Sequence, residues 1–415
     1  MYELHPYFTN DGSVGLFSPE ADDIYHSTYG ALTEAYEKFI IPSNLENFLK
    51  NNSEIKILDI CFGIGYNTKS FLNLLLNFIY NDTIYTNNNI FNKNIDTLYT
   101  NNPKYKIYIK AIDTDKILAT LSPFFKNFEK NIAKLNSKNA LIFKQEKIRK
   151  MLATKATSNY KLKKEVNILL LQKIFKQIDN DTISILTNKK YKQYFDKEIM
   201  SLYDFLKNQR SIYTPLCQLK TFLHNIYYKY LSKGYKNALN TLKLLDFNFD
   251  LEINDARQVI LKDNNKYNFI FLDAFTPTKC PCLWSIEFFK LLYAHLEDNG
   301  IVLTYSNSAQ IRNAFFNAGF IVKKIYSASQ NKYIGTVAIK NHPISKTKQL
   351  NTEIIHDLSE YDLGLMKTRA GIFYHDETLS LDNEAIINAH KIEVENSDLM
   401  SSSKFIKMNK KVKDI

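Results

Sequence analysis

The segment Ile55–Leu72, IKILDICFGIGYNTKSFL, constrains the fold more than any other part of the chain. Ile55, Ile57, Leu58 and Ile60 form an apolar, largely β-branched run of the kind that fills a parallel strand buried on both faces. Asp59 lies at its end, and Gly63 and Gly65 follow at once. Asn67-Thr68 then caps an apolar helical pattern from Ser70 to Ile79. Strand, glycine turn and helix make the nucleotide-binding opening of a doubly wound α/β sheet, where the glycines allow a tight turn and let a ligand approach main-chain N–H groups. A lone Gly-x-Gly also fits an ordinary βα turn, so the other strand ends must carry the argument.

Those ends are acidic. Tyr105–Ile112 alternates as a second strand and runs into Asp113, the position at which a Rossmann-like site hydrogen-bonds ribose hydroxyls. A helix N-cap is the alternative reading, since Asp115-Lys116 opens the next helix; both hold if Asp113 serves the ribose and Asp115 the cap. Phe249–Ile253 reads as a third strand leading to Asn254-Asp255-Ala256-Arg257. There an acid followed by a small residue suits either an adenine amino group or another helix cap. Tyr267–Leu272 is a near-continuous apolar strand ending at Asp273, where ligands of open α/β sheets bind. A helix near Trp284–Leu296, a strand at Ile301–Tyr305, a helix at Ala309–Ala318 and strands at Phe320–Ile325 and Tyr333–Ile339 complete the pattern. This gives a Rossmann-like α/β fold with seven strands, mostly parallel, the last antiparallel. Such a closing hairpin suits S-adenosylmethionine-dependent methyltransferases better than dehydrogenases.

Length and charge divide the 415 residues. Residues 1–45 read as a segment packing on the site, with 46–115 and 246–340 forming the core. Residues 116–245 carry 26 Lys+Arg against 8 Asp+Glu and a helical pattern throughout, whereas the whole chain is only +11. This basic helical insertion fits either an anionic polymer such as a nucleic acid or a solvated surface. Its Tyr/Lys interleaving at Tyr191–Tyr194 and Tyr227–Tyr235 suits stacking and phosphate contact, or plain packing. Asn81–Pro103 reads as a long polar loop, 341–400 as a C-terminal extension with a helix at Glu384–Glu395, and 401–415 as a disordered tail. Cys61, Cys217, Cys280 and Cys282 form no disulfide framework and, with no His cluster, no metal site. No apolar run spans a bilayer and the N-terminus lacks a signal pattern, so a cytoplasmic protein is expected.

FGIGYN (Phe62–Asn67), NDAR (Asn254–Arg257), FLDAFTPTKCPCLWSIEFF (Phe271–Phe289), YSNSAQIRNAFFNAGF (Tyr305–Phe320), GTVA (Gly335–Ala338) and YHSTYGALTEA (from Tyr25) occur in order on the expected elements. Together they resemble the methyltransferase domain of MnmC-type tRNA-modifying enzymes. The likeness excludes the insertion. Cys61 stands where many such turns have another glycine, and Asp59 where Glu is frequent. The flavin-dependent partner domain of that family is not seen.

The resemblance implies S-adenosylmethionine as cofactor and the tRNA anticodon region as partner. The reaction it implies is methylation of the amine of wobble 5-aminomethyl-(2-thio)uridine to the 5-methylaminomethyl nucleoside. It points to Asp59, Phe62, Gly63, Gly65, Asn67, Asp113, Asp255, Ala256 and Asp273 for the cofactor. Asp273 is also the candidate catalytic residue, as base or as holder of the amine. Tyr25, His26, Phe275 and Pro277 are candidates for the substrate, although a lone His in such a place more often serves structure, and Trp284 reads as core. An N-methyltransferase for another base or a protein amine, and a non-catalytic RNA-binding partner, are the alternatives. A nicotinamide oxidoreductase fits poorly without a third glycine.

Overall fold

The computed structural model describes residues 2–19, 22–88, 105–128, 162, 164–209, 245–340 and 350–409. The chain opens with a three-stranded antiparallel sheet of β1 (His5–Phe8), β2 (Val14–Ser18) and β3 (Asp23–Ile24). A short helix α1 (Ala31–Ala35), a π-helical turn (Tyr36–Ile40) and α2 (Leu45–Asn51) follow. The buried strand expected around Ile57 is β4 (Glu54–Ile60), and the glycine turn delivers the chain into α3 (Tyr66–Asn88). This helix runs through 81–88, where a polar loop was expected. Its Asn and Thr residues continue a helix whose apolar face is already anchored by Phe71, Leu72, Leu75 and Ile79.

The central sheet contains β5 (Tyr105–Asp113), β6 (Leu245–Ile253), β7 (Tyr267–Leu272), β8 (Leu296–Thr304), β9 (Ile321–Ser327), β10 (Lys332–Ile339) and β11 (Ile355–Asp357) in the order β11-β9-β10-β8-β7-β4-β5-β6. β6, β5, β4, β7 and β8 are parallel, and β10, β9 and β11 are added antiparallel. The sheet thus has eight strands rather than seven. The additional β11 is three residues of the C-terminal extension pairing with the edge strand β9, too short to carry a periodic signal. The mostly parallel α/β architecture is otherwise as expected.

Alternate side chains of each strand serve two cores. Ile57, Ile109, Phe269 and Leu303 face one core with α3 and the N-terminal elements. Leu58, Ile60, Ile270, Leu272 and Val302 face the other. The second core is covered by α8 (Ala256–Leu261), α9 (Ile286–Ala294) and α10 (Ala309–Asn317).

Within the insertion the described helices are α4 (Lys116–Leu121), α5 (Lys164–Ile174), α6 (Asn180–Thr187) and α7 (Lys197–Gln209). Val166, Leu170, Leu171 and Ile174 of α5 are buried in the first core, so this part is continuous with the sheet domain. Tyr191 is buried and its hydroxyl accepts the Leu4 N–H, while Tyr194 packs on Phe8 at 5.0 Å. Packing therefore accounts for this Tyr/Lys stripe; the one at Tyr227–Tyr235, and Cys217, lie outside the described residues. The C-terminal extension forms α11 (Glu360–Met366), α12 (Asn383–Asn396) and α13 (Ser402–Met408). The last corrects the expected disordered tail. Ser401 caps it through Lys404 N–H, and the Phe405 ring lies against Gly364 of α11 and stacks near Tyr361. Residues 410–415 lie outside the described residues.

The turn after β4 is held in left-handed backbone, with φ of 63° at Cys61, 55° at Gly63 and 77° at Gly65. A Cβ on Gly65 would sit 2.5 Å from Phe62 Cζ and 2.7 Å from Ser122 Oγ. Gly65→Ala is therefore expected to lower stability by about 1–3 kcal/mol in urea unfolding, through backbone strain and overpacking together.

Candidate active site

A cavity of about 670 Å³ opens at the carboxyl ends of β4, β5, β6, β7 and β8, which places the acidic strand ends in or beneath one site. The Gly63 N–H donates to Asp113 Oδ2 at 2.6 Å, closing the glycine turn onto the neighbouring strand. Asp113 Oδ1 accepts the Asp115 N–H at 2.8 Å, and Asp115 in turn caps α4 through the Leu118 N–H. Asp113 thus lines the cavity while Asp115 serves the helix. Burial pushes the Asp113 carboxyl up to about 6, against the pull of these N–H donors.

Asp59 is fully buried and does not line the cavity. Its Oδ2 accepts the Thr68 hydroxyl at 2.6 Å, and its Oδ1 meets no donor. Burial, opposed by Thr68 and reinforced by Asp273 and Asp113, pushes it up to about 8. It supports the turn from below. Phe62 fills the space beside Gly65 and packs on Phe249, so it too stands behind the cavity wall.

On the β5–β6 side the wall consists of Cys61, Ile112, Asp113, Thr114, Asn254 and Asp255 with Ala256. Asp255 caps α8 by accepting the Arg257 N–H at 2.9 Å, and its carboxylate pairs with the Arg257 guanidinium at 2.6 Å. Arg257 also pairs with fully buried Asp376, which accepts the N–H groups of Ser380 and Leu381. This bridge draws the C-terminal extension over the site, where Leu381, Asp382 and Asn383 complete the wall.

The β7–β8 side has different chemistry. Asp273 Oδ2 accepts Asn67 Nδ2 at 2.9 Å, linking the end of β7 to the first turn of α3. Burial raises Asp273 to about 6, countered by Asn67 and by Lys38. Tyr25 and Phe275 face each other with ring centroids 4.9 Å apart. Trp284 is buried, as expected, and its Nε1 donates to the Phe275 carbonyl at 2.9 Å, fixing that loop. His26 packs edge-on against Tyr66, and burial holds it down to about 4, so it is neutral. Pro277 is not in the wall, nor are the two turn glycines. Glu34, Lys38 and Tyr305 are wall residues that the sequence reading missed. The i, i+4 spacing of Glu34 and Lys38 was the available signal. Cys280 and Cys282 are free thiols in the same wall, their sulfurs 3.7 Å apart.

The donor set fits S-adenosylmethionine. Carboxylates at 113 and 255 match hydroxyl and amino groups, while Ile112, Ala256 and Leu283 offer apolar surface for a purine. Among the described residues no group of His, Cys, Asp or Glu gathers as a metal site, and no helix is long and apolar enough to cross a membrane.

Residues 217–341 match a family of S-adenosyl-L-methionine-dependent methyltransferases. An uncharacterized protein of Methanocaldococcus jannaschii is 36% identical over 140 residues, covering 34% of this chain and 37% of that one. The tRNA 5-methylaminomethyl-2-thiouridine biosynthesis bifunctional protein MnmC of Campylobacter fetus is 31% identical over 126 residues, covering 30% of this chain and 20% of that one. The matches therefore span well under two thirds of either relative. The fold is shared with the crystal structure of MnmC2 from Aquifex aeolicus, at 20% identity and a TM-score of 0.54, over 96% of this chain and 87% of that one. The MnmC-type resemblance and the S-adenosylmethionine cofactor read from the sequence are supported, and the Rossmann-like, mostly parallel α/β fold is the one shared with that MnmC2 structure.

The raised Asp59 carboxyl makes stability depend on pH. Between the ordinary carboxylate range and about 8 the native state holds a proton that the unfolded chain has released, so stability falls as pH rises through that window. Asp59→Asn keeps the acceptor for Thr68 and removes the titration. Its melting temperature is expected to fall less than that of wild type between pH 6 and pH 8; parallel curves would contradict this.

Proposed function

We propose that this chain, which carries an S-adenosyl-L-methionine-dependent methyltransferase domain, methylates the exocyclic amine of 5-aminomethyl-(2-thio)uridine at the tRNA wobble position. The observation that carries the reading is Asp273, oriented by Asn67 and set beside the Tyr25–Phe275 pair in the cofactor-sized cavity. The likeness to MnmC proteins supports the choice of tRNA. A wobble base lies in a single-stranded loop, so it can be splayed out and stacked on an aromatic ring at modest cost. A cytoplasmic location and recognition of the anticodon region belong to the same proposal.

When bound, S-adenosylmethionine supplies an electrophilic methyl group on a sulfonium. The remaining work falls to the protein. An alkylammonium has no lone pair, so the acceptor must lose a proton before it can attack in line. Asp273 accepts a hydrogen bond from the amine and aims its lone pair, and it stabilises the positive charge that develops on nitrogen. Asp113 and Asp255 take the polar edges of the cofactor, and the C-terminal residues Leu381–Asn383 limit water on that side.

The test is methyl transfer from labelled S-adenosylmethionine to tRNA from cells blocked at the aminomethyl stage, followed by nucleoside analysis. Wild type is expected to form the methylaminomethyl nucleoside, and Asp273→Ala to lose about 10²–10⁴-fold in rate. Equal rates would remove Asp273 from the mechanism. No product from folded, cofactor-bound wild type would overturn the substrate.

A further inference from the structure

The acceptor half of the cavity contains a charged pair with no assigned role. Lys38 Nζ lies 2.8 Å from Glu34 Oε1, with only 17% and 13% of the two side chains exposed, and both line the cavity. Glu34 is held in turn by the N–H and hydroxyl of Ser27. Burial raises the Glu34 carboxyl, but Lys38 and Ser27 more than offset this and hold it below its ordinary value. Lys38 Nζ also lies over the Tyr305 ring, 5.6 Å from its centre, just past the end of β8. Both charges act on Asp273 across the cavity, Lys38 favouring its ionised form and Glu34 opposing it.

Other groups facing this pocket do not substitute for Lys38. His26, from the N-terminal loop, is neutral, and Asp23 and Tyr305 bring no positive charge. Arg257 lines the cofactor half and is engaged by two carboxylates. Glu37, on the same helical segment, points to Ser327, Ser329 and Gln330 instead. Among the described residues Lys38 is thus the cation of the acceptor wall. Without it, Asp273 and Glu34 would present two negative charges to the incoming amine and favour its protonated, unreactive form.

Accepting the reading under Proposed function, we propose that Lys38, held by Glu34, shifts the acceptor pocket toward binding the neutral amine, relative to the same pocket without this cation. A like charge across the pocket disfavours the ammonium, as neighbouring cations do for nucleophilic lysines. The proton leaves the amine nitrogen as the base enters. It passes to solvent, because Asp273, whose ionised form Lys38 favours, only accepts a hydrogen bond from the amine. Lys38 is a positioning residue in this scheme: it forms no bond to the reacting atoms and sets the charge around them.

Calorimetric binding of an anticodon stem-loop RNA carrying 5-aminomethyluridine tests this at pH 7.5 in buffers of different ionisation enthalpy. S-adenosylhomocysteine is present, so no sulfonium contributes. The same RNA with 5-methyluridine gives the background. Wild type and Lys38→Arg are expected to release more protons per bound amine above background than Lys38→Met. The readout is protons per mole bound, so partial misfolding lowers the stoichiometry without mimicking the effect. Equal release by wild type and Lys38→Met overturns the role of Lys38 and leaves the proposed reaction standing. No amine-dependent binding by wild type overturns the proposed substrate and this inference with it.

Discussion

Three carboxylates ending three adjacent parallel strands set the terms for the rest of the molecule. Asp113, Asp59 and Asp273 close β5, β4 and β7, and each is pushed upward mainly by burial. Carboxylates gathered in low dielectric are costly as charges unless donors or cations answer them, or a proton is retained as at Asp59. The structure answers each one differently. Asp113 takes two backbone N–H groups, Asp59 the Thr68 hydroxyl, and Asp273 an amide from Asn67 with Lys38 nearby. The left-handed backbone of the glycine turn presents the Gly63 N–H to Asp113. The remaining negative potential suits a cationic cofactor and a nitrogen that becomes cationic during transfer.

Peripheral segments are tied back to this centre by specific pairs. The N-terminal segment is attached where the Tyr2 hydroxyl donates to Asp115 and the Leu4 N–H to Tyr191, so it joins the insertion to the rim of the cofactor side. The C-terminal extension is drawn in by the buried Arg257–Asp376 bridge, with Asp255 on the more open side of the same guanidinium. Breaking such a bridge from one side leaves an uncompensated charge, which is why it holds a segment more than a hundred residues distant in sequence. The site is therefore assembled from both flanks as well as from the α/β core.

Features governed by local pattern were legible in the sequence. β4, β5 and β7 follow from apolar runs, and the acids at their ends follow from sheet topology. What was missed depends on partners distant in the chain. β11 is recognisable only beside β9, and α13 only where Phe405 meets Gly364. The polar stretch at 81–88 has a loop-like composition, yet it continues a helix anchored by the apolar residues before it. Asp113 and Asp255 each invited two readings, and geometry gives Asp255 a definite cap and an ion pair while leaving both acids on the cavity wall. Lys38 was overlooked because a lysine on a short helix ordinarily faces solvent; its burial depends on Glu34 and Tyr305.

The most direct test of the account is a crystal structure of the full chain with S-adenosylhomocysteine. The account predicts ribose hydroxyls on Asp113, the adenine edge toward Asp255, and the sulfur facing the pocket formed by Asp273, Tyr25 and Phe275. A ligand bound elsewhere, or one whose sulfur points away from Asp273, would contradict it.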